Sequence, residues 1–166
     1  MPISASLPTA LGCFILSADE NGLCGLTFPA ESPSPPSTAQ IDIASHPLLQ
    51  EAGRQLLAYL AGDLDAFDLP LSIHGTPFQQ QVWAELLAIP YGQTMTYGQL
   101  AERIGSRNKA RAVGSAAHAN PLGIIIPCHR LIGTGGQLTG FGGGLPMKQA
   151  LLELELRFLE QTKKSA

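Results

Sequence analysis

The run Leu122-Gly123-Ile124-Ile125-Ile126 is apolar throughout and stops abruptly at Pro127-Cys128-His129-Arg130. It is too short to cross a membrane and reads as buried extended structure. Any fold for this chain must bury residues 122–126 and carry a thiol, an imidazole and a guanidinium to the point where the backbone leaves the core. A thiolate is a strong nucleophile near neutral pH, but it needs a base or a positive field to form. A Cys after three Ile can also be a small buried hydrophobe. The rest of the sequence has to separate these two readings.

The chain has 166 residues, 45% hydrophobic and 14% charged. That is enough apolar material for one medium domain or two small ones. No stretch approaches a transmembrane helix in length and no basic-then-apolar leader opens the chain, so a cytoplasmic location without a membrane partner is expected. Cys13, Cys24 and Cys128 are odd in number and widely spaced, which does not suit a disulfide framework and makes Cys128 a free thiol. Cys13 and Cys24 with His46 or His74 lack the spacing of a zinc motif, so neither a metal nor another cofactor is expected.

The net charge of −3 hides a segregation. Residues 96–130 hold Arg103, Arg107, Lys109, Arg111 and Arg130 against one acid, Glu102, so this segment carries +4 and the remainder −7. A chain divided in this way can offer one face to a polyanion.

The first half reads as mixed α/β. Residues 11–17 and 23–28 are short apolar strands, and Asp19-Glu20-Asn21-Gly22 between them carries an Asn-Gly hairpin signal. Residues 31–38, rich in Pro and Ser, form a surface loop. His46-Pro47 opens a helix to about residue 61, with Leu48, Ala52, Leu56 and Tyr59 near one face and Gly62 as its stop. Residues 63–72 are irregular and then extended.

The second half is helical. Thr76-Pro77-Phe78-Gln79 combines a capping box with Pro at the first helical position, and Phe78, Val82, Leu86 and Ile89 follow at helical spacing. Thr96-Tyr97-Gly98-Gln99 repeats the box and opens a short helix that ends at Gly105. Ser106 caps a second helix over residues 107–118, stopped by Asn120-Pro121. Two short helices about a Gly turn match a helix-turn-helix. On the second, Ala110, Val113, Gly114 and Ala117 form a small-residue face that suits close approach to another helix or to a DNA groove. Residues 133–144 hold seven glycines but no Lys-Ser/Thr after them, so this is a tight loop that can bring backbone N–H groups to a ligand and is not a nucleotide phosphate loop.

The last helix spans residues 148 to about 161. Leu151, Leu152, Leu156, Phe158 and Leu159 make its apolar stripe, and at about 100° per residue Glu155 falls inside it. A carboxylate there must be paired, either with a core Arg or with a His that it orients. Cys128, His129 and Glu155 then supply a nucleophile, a base and an orienting group. Adjacent side chains seldom face each other, so the proton would pass from Cys128 to His129 through one water. These three alone fit a cysteine hydrolase; the helix-turn-helix and the basic segment point to DNA.

Pro127-Cys128-His129-Arg130, preceded by Asn120-Pro121, resembles the active-site signature of the O6-alkylguanine-DNA alkyltransferases, the methylated-DNA–protein-cysteine methyltransferases. The resemblance runs over residues 75–155. It takes in Phe78-Gln79-Gln80-Gln81-Val82-Trp83, Ile89-Pro90-Tyr91-Gly92, Thr96-Tyr97-Gly98, Arg111-Ala112-Val113-Gly114, and Gly143-Gly144-Leu145 with Lys148. The first 70 or so residues match only loosely.

The resemblance implies an α+β fold. A small N-terminal α/β domain, a ribonuclease H-like sheet with a helix over residues 1–74, would act as a scaffold. A mostly α-helical C-terminal domain with a winged-helix-like helix-turn-helix over residues 75–166 would bind DNA and accept the alkyl group. It implies direct repair of O6-alkylguanine, and of O4-alkylthymine, in double-stranded DNA. On the same resemblance the nucleotide would be flipped from the minor-groove side, and a monomer would act once. Cys128 would take the alkyl group, with His129 as base, Glu155 holding His129 and Asn120 bracing the turn. Tyr97 would crowd the target phosphate and Arg111 would fill the vacated stack. Gly98, Ser106, Arg130, Thr134, Gly142 and Lys148 complete the implied DNA- and substrate-binding set. A damaged-DNA binding protein that transfers nothing is the alternative within the resemblance.

Overall fold

The computed structural model describes residues 2–29 and 39–165, and the Pro/Ser-rich loop expected at 31–38 lies outside the described residues. The chain divides into two compact units, Met1–His74 and Gly75–Ala166. Together they make an α+β protein: a sheet unit followed by a helical one.

In the first unit a four-stranded sheet has the order β3-β2-β1-β4. Strands β1 (Ile3–Thr9), β2 (Gly12–Asp19) and β3 (Gly22–Thr27) form an antiparallel meander. The short β4 (Ala39–Gln40) pairs parallel with Ile3 and Ser4 of β1. The β2–β3 hairpin turns at Glu20-Asn21. The Asp19 carboxylate accepts from the Asn21 and Gly22 amides at 2.8 and 3.1 Å, so an acceptor side chain builds the turn that Asn-Gly was expected to make. Gly22 opens β3 instead. A Cβ there would sit 2.6 Å from the Pro70 carbonyl oxygen, where residues 70–72 cross over and bond to Leu23.

Strand β1 was not expected. Its alternation is carried by small residues, and Pro8 lies inside it. Among the described residues β4 covers only Ile3 and Ser4, so the part of β1 holding Pro8 needs no donor on that side.

Helix α1 (Pro47–Leu60) lies on the sheet and buries Leu49, Ala52, Leu56 and Tyr59 with Phe14, Leu16, Leu23 and Leu26. The expected Leu48 is not on this face; Leu49 takes its place. Buried Gln55 is satisfied on both sides by the Asp68 backbone, at 3.0 and 2.9 Å, and this fixes the irregular segment after the helix.

The second unit holds α2 (Pro77–Leu87), α3 (Tyr97–Arg103), α4 (Ala110–His118) and α5 (Leu145–Ser165). A two-residue parallel ladder joins β5 (Met95–Thr96) and β6 (Leu131–Ile132). Both expected capping boxes form, Thr76 with Gln79 and Thr96 with Gln99. Ser106 caps a 3-10 turn, Arg107–Lys109, and the second helix of the helix-turn-helix begins only at Ala110. The buried face of α4 is Val113, Ala116 and Ala117, and the Trp83 indole of α2 donates to the Ala116 carbonyl at 2.9 Å.

Helix α5 begins at Leu145, three residues before the expected start. Its buried arc is Lys148, Leu151, Leu154 and Glu155, spaced at 0, 3, 6 and 7. Leu156, assigned to the apolar stripe from sequence, is 52% exposed, and Leu154 is the residue that was missed. Two ionisable side chains therefore point inward from one helix. No helix among the described residues is long and apolar enough to cross a membrane.

Candidate active site and nucleic-acid interface

The apolar run is buried as expected but is not extended: it reaches Cys128 through a series of tight turns. Ile124 has φ 71°, a region that a β-branched residue rarely enters, and the Ile125 amide donates across it to the Gly123 carbonyl at 2.9 Å. Pro127 sits at φ −78°, ψ 65°, the inverse γ-turn region, and the Cys128 amide donates across it to the Ile126 carbonyl at 2.7 Å. Asn120 closes the loop: its side-chain NH₂ donates to the Ile126 carbonyl at 2.8 Å, and its carbonyl accepts from the Leu122 amide at 3.0 Å. Leu122, Ile124, Ile125 and Ile126 are all buried, and their packing holds this backbone in place. Cys128 emerges half-buried at the start of a 3-10 turn, Cys128–Arg130.

Beneath it lies a buried polar cluster centred on Glu155. The carboxylate is 0% exposed. It meets His129 Nε2 at 2.6 Å, Arg130 Nε at 2.9 Å and Nη2 at 3.0 Å, and it accepts from the Gly92 amide at 2.9 Å. Burial pushes the Glu155 carboxyl upward, but the hydrogen bonds and charges of His129 and Arg130 outweigh it and hold the group at about 2. His129 is also fully buried, and that burial lowers its pKa against the opposing pull of Glu155. The neutral ring that results donates from Nε2 to the carboxylate and leaves Nδ1 as its basic nitrogen. The Arg and His partners that the sequence offered as alternatives for Glu155 are both present.

Arg130 was placed in the DNA-binding set, and the geometry does not suit that. Its guanidinium is occupied by Glu155 and by the Ile89 carbonyl at 2.7 Å, it lies over the Tyr91 ring, and only 7% of the residue is exposed. Lys148 is likewise buried. Its Nζ donates to the Leu131 carbonyl at 2.5 Å and the Thr139 carbonyl at 2.9 Å, with its pKa lowered by burial. It ties the glycine-rich loop to β6 and does not face outward.

The remaining expected residues divide. Tyr97 Oη donates to the Thr139 carbonyl at 3.0 Å. Tyr97, Ala110, Arg111, Gly114, Ser115, His118, Thr139 and Gly140 line a cleft of about 630 Å³ between α3, α4 and the glycine-rich loop. Gly98 packs on the Arg107 guanidinium, where a Cβ would stand 3.2 Å from Nη1, and Ser106 serves as a cap. Thr134 and Gly142 are exposed on the loop, outside the cleft lining. Sequence reasoning did not single out Thr139, whose carbonyl joins Tyr97 and Lys148, nor Ser115 and His118. Only the exposed stripe of α4 could have marked the last two.

The basic segment is less available than its charge suggests. Arg103 pairs with Glu85, Arg107 pairs with Glu102, and Arg130 is buried, which leaves Lys109 and Arg111 outside any ion pair among the described residues. Also among the described residues, no group of three or more His, Cys, Asp or Glu side chains could hold a metal ion.

This arrangement has relatives. Residues 77–157 match the family model for the 6-O-methylguanine DNA methyltransferase DNA binding domain, and residues 4–73 match that for the ribonuclease-like domain of the same family. The chain is 43% identical over 151 residues to the methylated-DNA–protein-cysteine methyltransferase of Methanosarcina acetivorans, covering 91% of this chain and 96% of that one. It belongs to the 6-O-methylguanine DNA methyltransferase family. The Mycobacterium tuberculosis relative in the family is 58% identical over 101 residues, a match spanning 61% of each chain's length. A crystal structure of Mycobacterium tuberculosis OGT in complex with DNA superposes with a TM-score of 0.85 at 42% identity, covering 94% of both chains.

Proposed function

We propose that this chain repairs O6-alkylguanine in duplex DNA, and O4-alkylthymine with it, by moving the alkyl group irreversibly onto Cys128. The observation that carries this reading is a half-buried thiol next in sequence to His129, whose buried ring meets Glu155 at 2.6 Å, in a chain of this family.

His129 Nδ1 takes the thiol proton, directly or through one water. The thiolate sulfur attacks the alkyl carbon from the side opposite the guanine O6. The S–C bond forms as the C–O bond breaks, and guanine leaves with the electron pair. Guanine then recovers the proton that the thiol lost, so the step needs no oxidant, reductant or cofactor. Glu155 keeps Nε2 protonated and Nδ1 basic. Arg130 and the Gly92 amide hold Glu155, and Asn120 holds the turn beneath the sulfur. A thioether has no hydrolytic exit, so each molecule acts once.

Guanine O6 points into the duplex, so the nucleotide must leave the stack at a cost of about a few kcal/mol. Helix α4 suits the minor groove. Gly114 lets it approach closely, Arg111 enters the stack and Tyr97 crowds the target phosphate. The protein acts as a monomer, and the first unit serves as a scaffold. Exposure to duplex DNA carrying O6-methylguanine should replace one hydrogen of the Cys128 peptide with methyl, once per molecule, and Cys128→Ser should lose this while still binding the duplex. Methanol released over many turnovers by an unmodified protein would sink the proposal.

A further inference from the structure

The outward side of α4 carries a polar stripe. At about 100° per residue, Arg111, Ser115 and His118 fall within an arc of about 60°, directly opposite buried Val113, Ala116 and Ala117. All three are exposed, and all three line the cleft with Tyr97 and Gly114. The proposed repair reaction gives Arg111 a task and leaves His118 without one. The two are seven residues apart on one helix, about 10 Å along its axis. A helix crossing a groove with Arg111 at its centre places His118 past the groove edge, since the half-width is about 3 Å in the minor groove and about 6 Å in the major. What stands at the edge of either groove is the sugar-phosphate backbone.

We infer that His118 is a DNA-phosphate contact that clamps the far wall of the groove entered by Arg111. The inference rests on the proposed repair of duplex DNA. An imidazole N–H donates to a phosphate oxygen, and an arginine in the same place does so with a permanent charge. The surroundings do not supply a competing anion. Across the cleft stands Tyr97 of α3, beside His118 on α4 lies the cation Arg111, and residues 139–140 bring no titratable group. Helix α2 carries only Glu85, paired with Arg103, and the acid of α3, Glu102, is paired with Arg107. The preceding turn adds Lys109, a cation.

The test is binding of an undamaged duplex by the full chain, titrated with salt, for the unaltered protein, His118→Ala and His118→Arg. At about 50 mM salt, His118→Ala should bind several-fold more weakly than the unaltered protein. His118→Arg should restore the affinity, with a log–log salt slope steeper than that of His118→Ala by about 0.9, which also shows that the helix tolerates replacement. Equal affinities and slopes for all three proteins would overturn the phosphate contact while leaving the repair reading in place. Salt-independent or absent duplex binding by the unaltered protein would overturn both.

Discussion

Glu155 and His129 meet at 2.6 Å with neither exposed, although 26 residues separate them in the chain. The same carboxylate neutralises Arg130, so one acid answers for a base and a permanent cation at once. Glu155→Gln should therefore affect stability and chemistry separately. Arg130 would be left buried without its counter-charge, costing about 3 kcal/mol in urea unfolding. His129 would lose basicity, so the rate of alkyl transfer should fall and its pH profile should move to higher pH. A destabilised variant with an unmoved profile would take Glu155 out of the proton relay.

Acid should unfold the protein in two stages. The buried His129 has a lowered pKa, so the unfolded chain binds its proton first, and stability should decline as pH falls below the ordinary histidine range of about 6.5. The Glu155 carboxyl is held at about 2, so its contribution is complete above its unfolded value, 4.5, and is lost as pH falls from there toward 2. Urea midpoints measured from pH 8 to pH 3 should show both declines. Glu155→Gln should lack the second.

Arg111→Ala separates the duplex from the chemistry. Arg111 stands 17 residues before Cys128, exposed on α4, and makes no hydrogen bond to the His129–Glu155 cluster. Its loss should slow repair of O6-methylguanine in a duplex by at least tenfold, because nothing fills the emptied stack. Reaction with free O6-benzylguanine should suffer much less. Equal losses in the two single-turnover assays would count against insertion.

Gly114→Ala should set stability against binding. A Cβ at Gly114 would meet the Tyr97 ring at 3.7 Å, an ordinary contact, and the residue lies in the middle of α4. Alanine there should stabilise the helix by about 0.5–1 kcal/mol. The added methyl also faces the cleft, so duplex affinity should fall as the melting temperature rises. A variant that gains stability with unchanged affinity would place the duplex elsewhere.

Much of this protein is legible along the chain. The capping boxes at Thr76 and Thr96, the two helix starts they mark and the Gly105 turn depend on neighbours within four residues, and local backbone satisfaction is enough to place them. The buried run ending at Cys128 and the inward turn of Glu155 follow from hydrophobic pattern alone. Pattern failed where long-range packing overrode it: β1 is a strand because β2 pairs with it, and Leu156 is exposed because α5 rotates to bury Leu154. Only the tertiary structure decided that Arg130 and Lys148 face inward. A cation's formal charge looks the same in sequence whether it meets solvent or a buried carboxylate. It also took the fold to bring Tyr97 of α3 to the cleft that Arg111 and His118 of α4 line, because residues on separate helices become neighbours only when their apolar faces have been buried.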